Sequence, residues 1–430
     1  MKILVVGDVF IDTHTDISDK KINRIGGIFH AVRALSGLSI KSDIAYCATA
    51  YMNEHIYKHK NKLNIQNAYH CFNRTGAPGI FLIDHSNELH DNQYDYILPN
   101  EENVETITTE LSKINFEEVT DALVFPGTFD LDVVLHLLND KQINIHIDMQ
   151  YENFQRIEHY HIDTLYISIN SIETKRYVEK YLVNNSNWNT VVLKENRGGS
   201  KVLTSSKDSY EIPSFLLGSI HSVGVGDVYN ASFLVHKLQG YNIEESFLKA
   251  SYIAALYSNT FHYETFKESL KVLESYIPLK SNGTRVSYDN RKDIHIYIAG
   301  PDFKNSKYTL YFDRIFEILN YHNFSAHLPI RENGDGDGKT FNEQTKMYSK
   351  DISLLDRCNI MIACGFDNDS GTMAEIGYFK ATNKSVILYD PKQDVSNMFI
   401  KHSVRKTVHD LDKLLETVYR YAQEVLDAKI

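Results

Sequence analysis

Four cysteines stand in 430 residues, Cys47, Cys71, Cys358 and Cys364, and no two form a C-x-x-C pair. That spacing excludes a zinc ribbon and a thioredoxin-like motif; the four read as buried free thiols in a reducing compartment. Long apolar runs are absent too. The first residues, "MKILVVGDVF", carry one lysine and a short apolar stretch. This is too little for a secretory leader and reads as a first β-strand, and no run reaches membrane-spanning length. The expected location is cytoplasmic, with no membrane partner. Positive charge is scarce: the formal net charge is -11. A general nucleic-acid binder needs a basic face, so no nucleic-acid partner is expected. A local cationic pocket for a phosphorylated small molecule remains compatible. No internal repeat is present. The patch "ENGDGDGK" lacks the downstream glutamate of a calcium loop and reads as a flexible loop.

What is present is ordinary globular material, 43% apolar and 23% charged, in a length that suits two or three domains. Strand-like and helix-like segments alternate: "ILVVG" then "GGIFHAVRAL", "DALVFPG" then "DLDVVLHLL", "NIHID", "TLYISIN" then "SIETKRYVEKYL". Such alternation predicts a mostly parallel sheet covered on both faces. The pattern breaks at "PLKSNGTRVSYDNRKD", which is polar, without apolar period, and reads as a linker. It restarts at "IHIYIAG" and runs on as a small α/β domain of about 140 residues. The expected division is 1–280, a linker 281–292, and 293–430.

Two stretches carry chemistry. In "VGVGDVYN", Gly224 and Gly226 precede a helix and Asp227 falls in its first turn. Glycines there let backbone N–H groups converge on an anion, helped by the helix dipole. An acid beside that anion can take the proton of a hydroxyl attacking phosphorus; the alternative is an aspartate capping a helix. The second stretch is "CGFDNDSGTMAEIGYFKATNKSVILYD". Asp369 and Glu375 stand six apart where a buried-type strand ends and a helix starts, the edge where α/β sheets bind ligands. One carboxylate can attack an anomeric carbon while another serves the departing base. Capping by Asp369 and Thr372, with Glu375 a solvated first-turn acid, is the alternative.

Taken with "GDVFID", "RIGGIFHA", "NSIE" and "ENRGGS", the run "GVGDVYNASFL" resembles the ribokinase-like (PfkB) family of sugar and nucleoside kinases over about residues 1–275. The resemblance implies a ribokinase-like α/β sandwich that uses ATP and magnesium. It makes Asp227 the general base and Gly224 and Gly226 the anion hole, with Gly198 among the phosphate-binding residues. Asn170 and Glu173 would organise magnesium and phosphate indirectly, and Asp12, Gly26 and Gly27 would grip substrate hydroxyls. The chain departs from the family at Ala31, where an asparagine is usual, and at His221, where an acid often stands. Both bear on substrate choice.

The segments "IYIAGPDF", "SKDISLLDRCNIMIACGF" and "DSGTMAEIGYFKATNKSVILY" look like the nucleoside 2-deoxyribosyltransferase family over roughly residues 293–425. This implies a smaller Rossmann-like or flavodoxin-like parallel-sheet domain. Glu375 would be the nucleophile that takes up the sugar, and Asp369 and Asp351 would contact the base or assist proton transfer. Tyr297, Gly300 and Phe303 would line the pocket. Asn397 in "VSNMFI" would act on a neighbouring subunit's site, so a homo-oligomer through the C-terminal domain is implied. The two resemblances together imply a bifunctional enzyme of nucleosides, nucleobases or sugars. The rival reading is a deoxynucleotide N-glycosidase whose kinase-like part only senses a nucleotide. Transfer and hydrolysis are not separated by the sequence.

Overall fold

The computed structural model describes residues 2–15, 21–84, 95–96, 103–149, 156–171, 174–176, 178, 180, 187–273, 280–301, 306–334 and 338–429. The chain forms two compact units, one of residues 1–86 and 92–285, the other of 87–91 and 286–430.

The first unit is built on strands β1 (Lys2–Asp8), β2 (Ile11–Thr15), β3 (Lys21–Ile25), β4 (Lys41–Ala48), β5 (Ile65–Arg74), β6 (Ile80–Asp84), β7 (Asp95–Tyr96), β8 (Val104–Thr106), β9 (Val119–Val124), β10 (Asn144–Asp148), β11 (Ile162–Ser168), β12 (Trp188–Lys194), β13 (Ser200–Thr204) and β14 (Ser209–Ile212). Ten of them form one sheet in the order β14-β13-β12-β11-β10-β9-β1-β4-β5-β8. From β12 to β5 the pairing is parallel, and β13, β14 and β8 close the two ends antiparallel. Every residue of β1 is buried, as expected of a central strand covered on both faces.

Helices Phe29–Gly37, Val225–Leu238, Ile243–Ser258 and Tyr263–Leu273 share one hydrophobic core with β1 and β4. Phe233 and Phe247 stack within it at 3.6 Å between ring centroids, both fully buried. Burying such a side chain contributes ~1.5–3 kcal/mol. The helix expected at "GGIFHAVRAL" starts only at Phe29, after both glycines.

A separate four-stranded sheet, β3-β2-β6-β7, was not legible in the sequence. Asp12 belongs to this sheet and not to the first strand, although "GDVFID" runs on directly from it. Ladder bonding of β1 runs out at Val9, whose N–H reaches Cys47 O at 3.0 Å, and the chain crosses into β2. Asp12 lies on β2, opposite Arg24 of β3.

The second unit is a five-stranded sheet, all parallel, of β15 (His295–Ala299), β16 (Ser325–His327), β17 (Ile360–Cys364), β18 (Ser385–Tyr389) and β19 (Lys406–Val408), in the order β16-β15-β17-β18-β19. From β15 the chain goes out to β16 and returns to the other side as β17. The crevice at the carboxyl ends of β15 and β17 is therefore the switch point where such sheets bind ligands.

The polar segment between the alternating patterns is anchored rather than loose. Thr284 bridges to Ser214, and Arg285 pairs with Glu195 at 2.8 Å within the first unit. Val286, Tyr288 and Arg291 are buried, with the Arg291 guanidinium over the Tyr419 ring in the second. All four cysteines are free and buried. Among the described residues no helix is long and apolar enough to cross a membrane.

Candidate active sites

In the second unit, two consecutive left-handed residues, Asp367 (φ 51°) and Asn368 (φ 49°), turn the chain after β17. Asp and Asn tolerate that conformation better than other side-chain-bearing residues. Asp369 then caps the Ser370–Ala381 helix: its Oδ2 accepts from Thr372 N at 2.7 Å and Thr372 Oγ1 at 2.8 Å. One turn on, Glu375 is half-buried. Its Oε1 accepts a 2.6 Å hydrogen bond from the hydroxyl of Tyr297, a fully buried residue of β15. Burial pushes the Glu375 carboxyl up to about 7, with Asp351 and Asp369 adding to the rise and the Tyr297 hydroxyl opposing it. Burial also raises Asp351, whose Oδ1 accepts from Asn333 Nδ2 at 2.6 Å. Three carboxylates thus share one crevice, and the middle one is poised near neutrality. Coupling of that kind marks functional sites more often than structural ones.

In the first unit, the Val225–Leu238 helix opens on Gly224 at φ 72°. A Cβ there would also lie 2.1 Å from Cγ of His30, so conformation and contact both require glycine. Asp227 is half-buried in the first turn. Among the described residues nothing hydrogen-bonds its carboxylate. Burial, then the nearby Asp148 carboxylate, push it up to about 7, against the pull of Lys194. Asp148 ends β10 and Lys194 ends β12, and their Oδ2 and Nζ are 2.5 Å apart. Asn230 Nδ2 donates to the same Oδ2 at 2.6 Å.

Asp12 is buried beside this turn. Its Oδ2 lies 3.0 Å from His30 Nε2 and 3.5 Å from Arg24 Nε. Burial pushes the Asp12 carboxyl up, and its basic neighbours His30, Arg24 and His14 outweigh that, leaving it below the ordinary value. Burial holds the His30 ring down at about 4. A neutral ring that donates through Nε2 to Asp12 leaves Nδ1 to accept from the Tyr257 hydroxyl, 2.7 Å away. The Asp12 carboxylate also presses on Gly26, where a Cβ would lie 2.1 Å from Oδ1, while Gly27 holds φ 61°.

Two patterns of side chains at the carboxyl ends of parallel strands are now in view, and the comparisons with known proteins bear on both. Residues 296–411 match the family model of nucleoside 2-deoxyribosyltransferase. Against solved structures, the chain aligns with one described as a ribokinase II from E. coli with ATP and Mg2+, at 11% identity and a TM-score of 0.50, over 64% of this chain and 99% of that one. A ribokinase from Giardia lamblia aligns at 13% identity and 0.48, over 63% and 99%. A nucleoside kinase of the ribokinase family from Methanocaldococcus jannaschii aligns at 16% and 0.45, over 64% and 98%. No curated protein matches the chain. The chain thus joins a ribokinase-like α/β fold to a nucleoside 2-deoxyribosyltransferase domain.

The structure gathers Asp12, Gly26, Gly27, Gly224, Gly226 and Asp227 in one unit, and Tyr297, Asp351, Asp369 and Glu375 in the other. Other expected site residues are placed differently. Gly198 sits in the short turn Asn196–Gly198; its N–H donates to Glu195 O and its carbonyl accepts from Arg285 Nη1 at 2.8 Å, so neither is offered to a phosphate. Gly300 is a packing glycine, since a Cβ would meet the Phe312 ring at 2.3 Å. Asn170 follows β11, with Oδ1 accepting from Thr174 Oγ1 at 3.2 Å. Asn397 is exposed and caps the Met398–Ser403 helix through Phe399 N and Ile400 N. Glu173 and Phe303 lie outside the described residues. His221, at one departure from the family, is buried with Nε2 3.0 Å from Thr260 O, and its ring stacks on Phe261. Ala31, the other, is fully buried. Sequence reading missed Asp148, Lys194, His30 and Arg24. The available signal was a charged residue at the last position of "NIHID" and of "TVVLK", since strand ends face the ligand edge.

Proposed function

We propose that the chain carries two activities on nucleosides or their sugars. The second unit transfers or cleaves an N-glycosidic bond of a (deoxy)nucleoside. The observation that carries this is Glu375, half-buried, hydrogen-bonded by Tyr297 and flanked by Asp351 and Asp369 at the switch-point crevice. Glu375 in its carboxylate form attacks C1′; the C1′–O bond forms as the C1′–N bond breaks, and the base leaves with the bonding pair. A proton from Asp369 or Asp351 neutralises it. Water or a second base then attacks C1′, the C1′–O bond to Glu375 breaks with its pair returning to the carboxylate, and the nucleophile's proton goes to the aspartate that gave one up.

The first unit phosphorylates a sugar or nucleoside hydroxyl. The Asp227 carboxylate, unengaged and near neutral in pKa, takes the hydroxyl proton as the oxygen attacks the terminal phosphorus of ATP, and ADP departs. Asp12 receives substrate hydroxyls, and the backbone at Gly224 and Gly226 faces the transferred group. Asn170 organises magnesium and phosphate indirectly in this reading, and the metal, when bound, neutralises phosphate charge. Glu173 has the same indirect role in this reading.

We also infer that the chain divides into functional domains 1–280 and 293–430 joined through 281–292, that the protein is cytoplasmic, and that it is a homo-oligomer through its C-terminal domain. Exposure of Met398 (71%) and Phe399 (80%) beside Asn397 supports the last point. The test of function is a panel of nucleosides and deoxynucleotides incubated with and without MgATP, read by mass for free base, exchanged base and phosphorylated product. Absence of all three products would overturn the reading.

The Tyr297 hydroxyl should set the pH dependence of the second site. Tyr297→Phe removes a donor to the charged form of Glu375, so the Glu375 pKa rises further above 7. Base release requires the carboxylate, so its acidic limb should move to higher pH by about 1–2 units. The kcat/KM profile of base release in the two proteins checks this; an unmoved limb would detach Tyr297 from Glu375.

A further inference from the structure

The four core helices of the first unit frame a cavity of about 840 Å³. Small-molecule sites run to roughly 300–1,000 Å³. Two of the helices, Phe29–Gly37 and Val225–Leu238, begin at the first candidate site, with His30 and Asp227 in their first turns. They reach the cavity at their other ends, with Gly37 and His236. The second of them has 14 residues, a length of about 21 Å. The cavity is therefore a separate place from the Gly224 turn. Leu248, Leu270 and Leu273, from the other two helices, give it an apolar wall.

His236 is 5% exposed, and burial holds its ring down at about 4, so the ring is neutral. Its Nδ1–H donates to Ser232 O at 2.8 Å, which makes Nε2 an acceptor. Among the described residues nothing donates to that nitrogen. A buried acceptor on the wall of a cavity calls for a donor in whatever fills it. Water satisfies Nε2 and leaves the leucine wall wet. The rim is cationic in a chain of formal net charge -11: Lys249, Lys267, Lys271 and Lys280 face one carboxylate, Glu245. Lys271 and Lys280 are already paired, with Glu268 at 2.7 Å and Glu244 at 3.0 Å. Lys249 and Lys267 have no carboxylate partner among the described residues. Lys249 Nζ instead lies 4.6 Å from the Tyr241 ring centroid.

A ligand must answer the two ammonium groups, the buried acceptor and the leucines together. Inorganic phosphate leaves the leucines bare. A fatty acid offers no donor to Nε2. A sugar phosphate sets hydroxyls against the leucines. A nucleoside monophosphate meets all three demands, with a dianion at one end and, at the other, a flat base whose edge carries N–H donors. We propose that this cavity is a further ligand site of the first unit, for a nucleoside monophosphate. Its phosphate lies on Lys249 and Lys267, and its base packs on the leucines and donates an N–H to His236 Nε2.

Full-length protein is titrated calorimetrically with AMP, GMP, CMP and UMP at one ionic strength. At least one should bind the wild type. For that ligand Lys249→Gln with Lys267→Gln should weaken binding by about ten- to hundredfold, the loss of charge-assisted contacts. His236→Phe keeps a ring and loses the acceptor, and should cost about fivefold or more. Thermal melting checks that the variants fold. Lys267 is exposed, so Lys267→Gln alone decides the matter if the others do not fold, with a loss of about tenfold. Lys58→Gln removes the same charge from the Asn53–Lys60 helix and should cost less than about twofold, since exposed charges beyond the Debye length are screened. Binding of none of the four nucleotides overturns the proposal. So does unchanged affinity in Lys267→Gln, or equal loss in Lys58→Gln and Lys267→Gln. None of these outcomes bears on the two proposed activities, which reside at other residues.

Discussion

Glu375→Ala is expected to stop base release and base exchange together, each by at least ~10⁴-fold, because both pass through one glycosyl intermediate. Glu375→Gln should do the same: it keeps the shape and the hydrogen bond with Tyr297 but presents an amide, a far poorer nucleophile. The contrast is with its neighbours. Asp369 is held by Thr372 as the cap of the Ser370–Ala381 helix. Asp369→Asn should therefore cost some helix stability, roughly 1 kcal/mol or less, since asparagine also caps. Its kinetic effect should vary with the leaving base, as expected of a group that serves the departing nitrogen rather than the sugar. A 2-fluoro-2-deoxy nucleoside slows breakdown of the intermediate by destabilising its oxocarbenium-like transition state. Mass spectrometry of the digested protein should then place the sugar on the peptide containing "GTMAEIGYFK". Substantial activity in Glu375→Ala, or an adduct on another peptide, would remove Glu375 from the mechanism.

How much of this was legible in the sequence depends on the kind of signal. Apolar runs ending in a turn gave β1, β9, β11, β15 and β17, because strands covered on both faces read as continuous apolar segments. The glycine turn pointed to the first candidate site, because left-handed backbone and close approach leave few choices of residue, and the paired acids after β17 pointed to the second. Gly224 shows why: its φ and the His30 ring both forbid a side chain. The sheet β3-β2-β6-β7 was missed because its strands are short and alternate weakly, and "IDTHT" contains four polar or charged residues of five. Pairings across the fold were equally hidden. Tyr297 and Glu375 are 78 residues apart, and Asp148 and Lys194 are 46 apart; no spacing rule connects them. The anchoring of the polar segment after residue 280 was not legible, because composition reports polarity, not contacts. Arg291 is charged and still fully buried, its guanidinium between the rings of Tyr288 and Tyr419.

Asp227→Asn should abolish ATP-dependent phosphorylation while leaving glycosyl chemistry unchanged. Loss of a general base costs about 10²- to 10⁴-fold. The same substitution should make the protein more stable at pH 8, and that second readout separates a catalytic role from a structural one. The sign follows from linkage. Burial, with Asp148 beside it, raises the Asp227 carboxyl to about 7 in the folded protein, from 3.8 when unfolded. Between those values the folded chain holds a proton that the unfolded chain has released, so stability falls as pH rises from about 4 to about 7 and then levels off. Asparagine carries no such dependence. At pH 8 it should therefore gain on the order of 1–3 kcal/mol over aspartate, and near pH 4 the two should be close. Thermal melting of both proteins across that range, beside assays of phosphorylation and base release, makes the comparison. An aspartate kept for structure would show the reverse, with Asp227→Asn less stable at pH 8 and both activities falling together. Unchanged phosphorylation in the variant would place the base elsewhere.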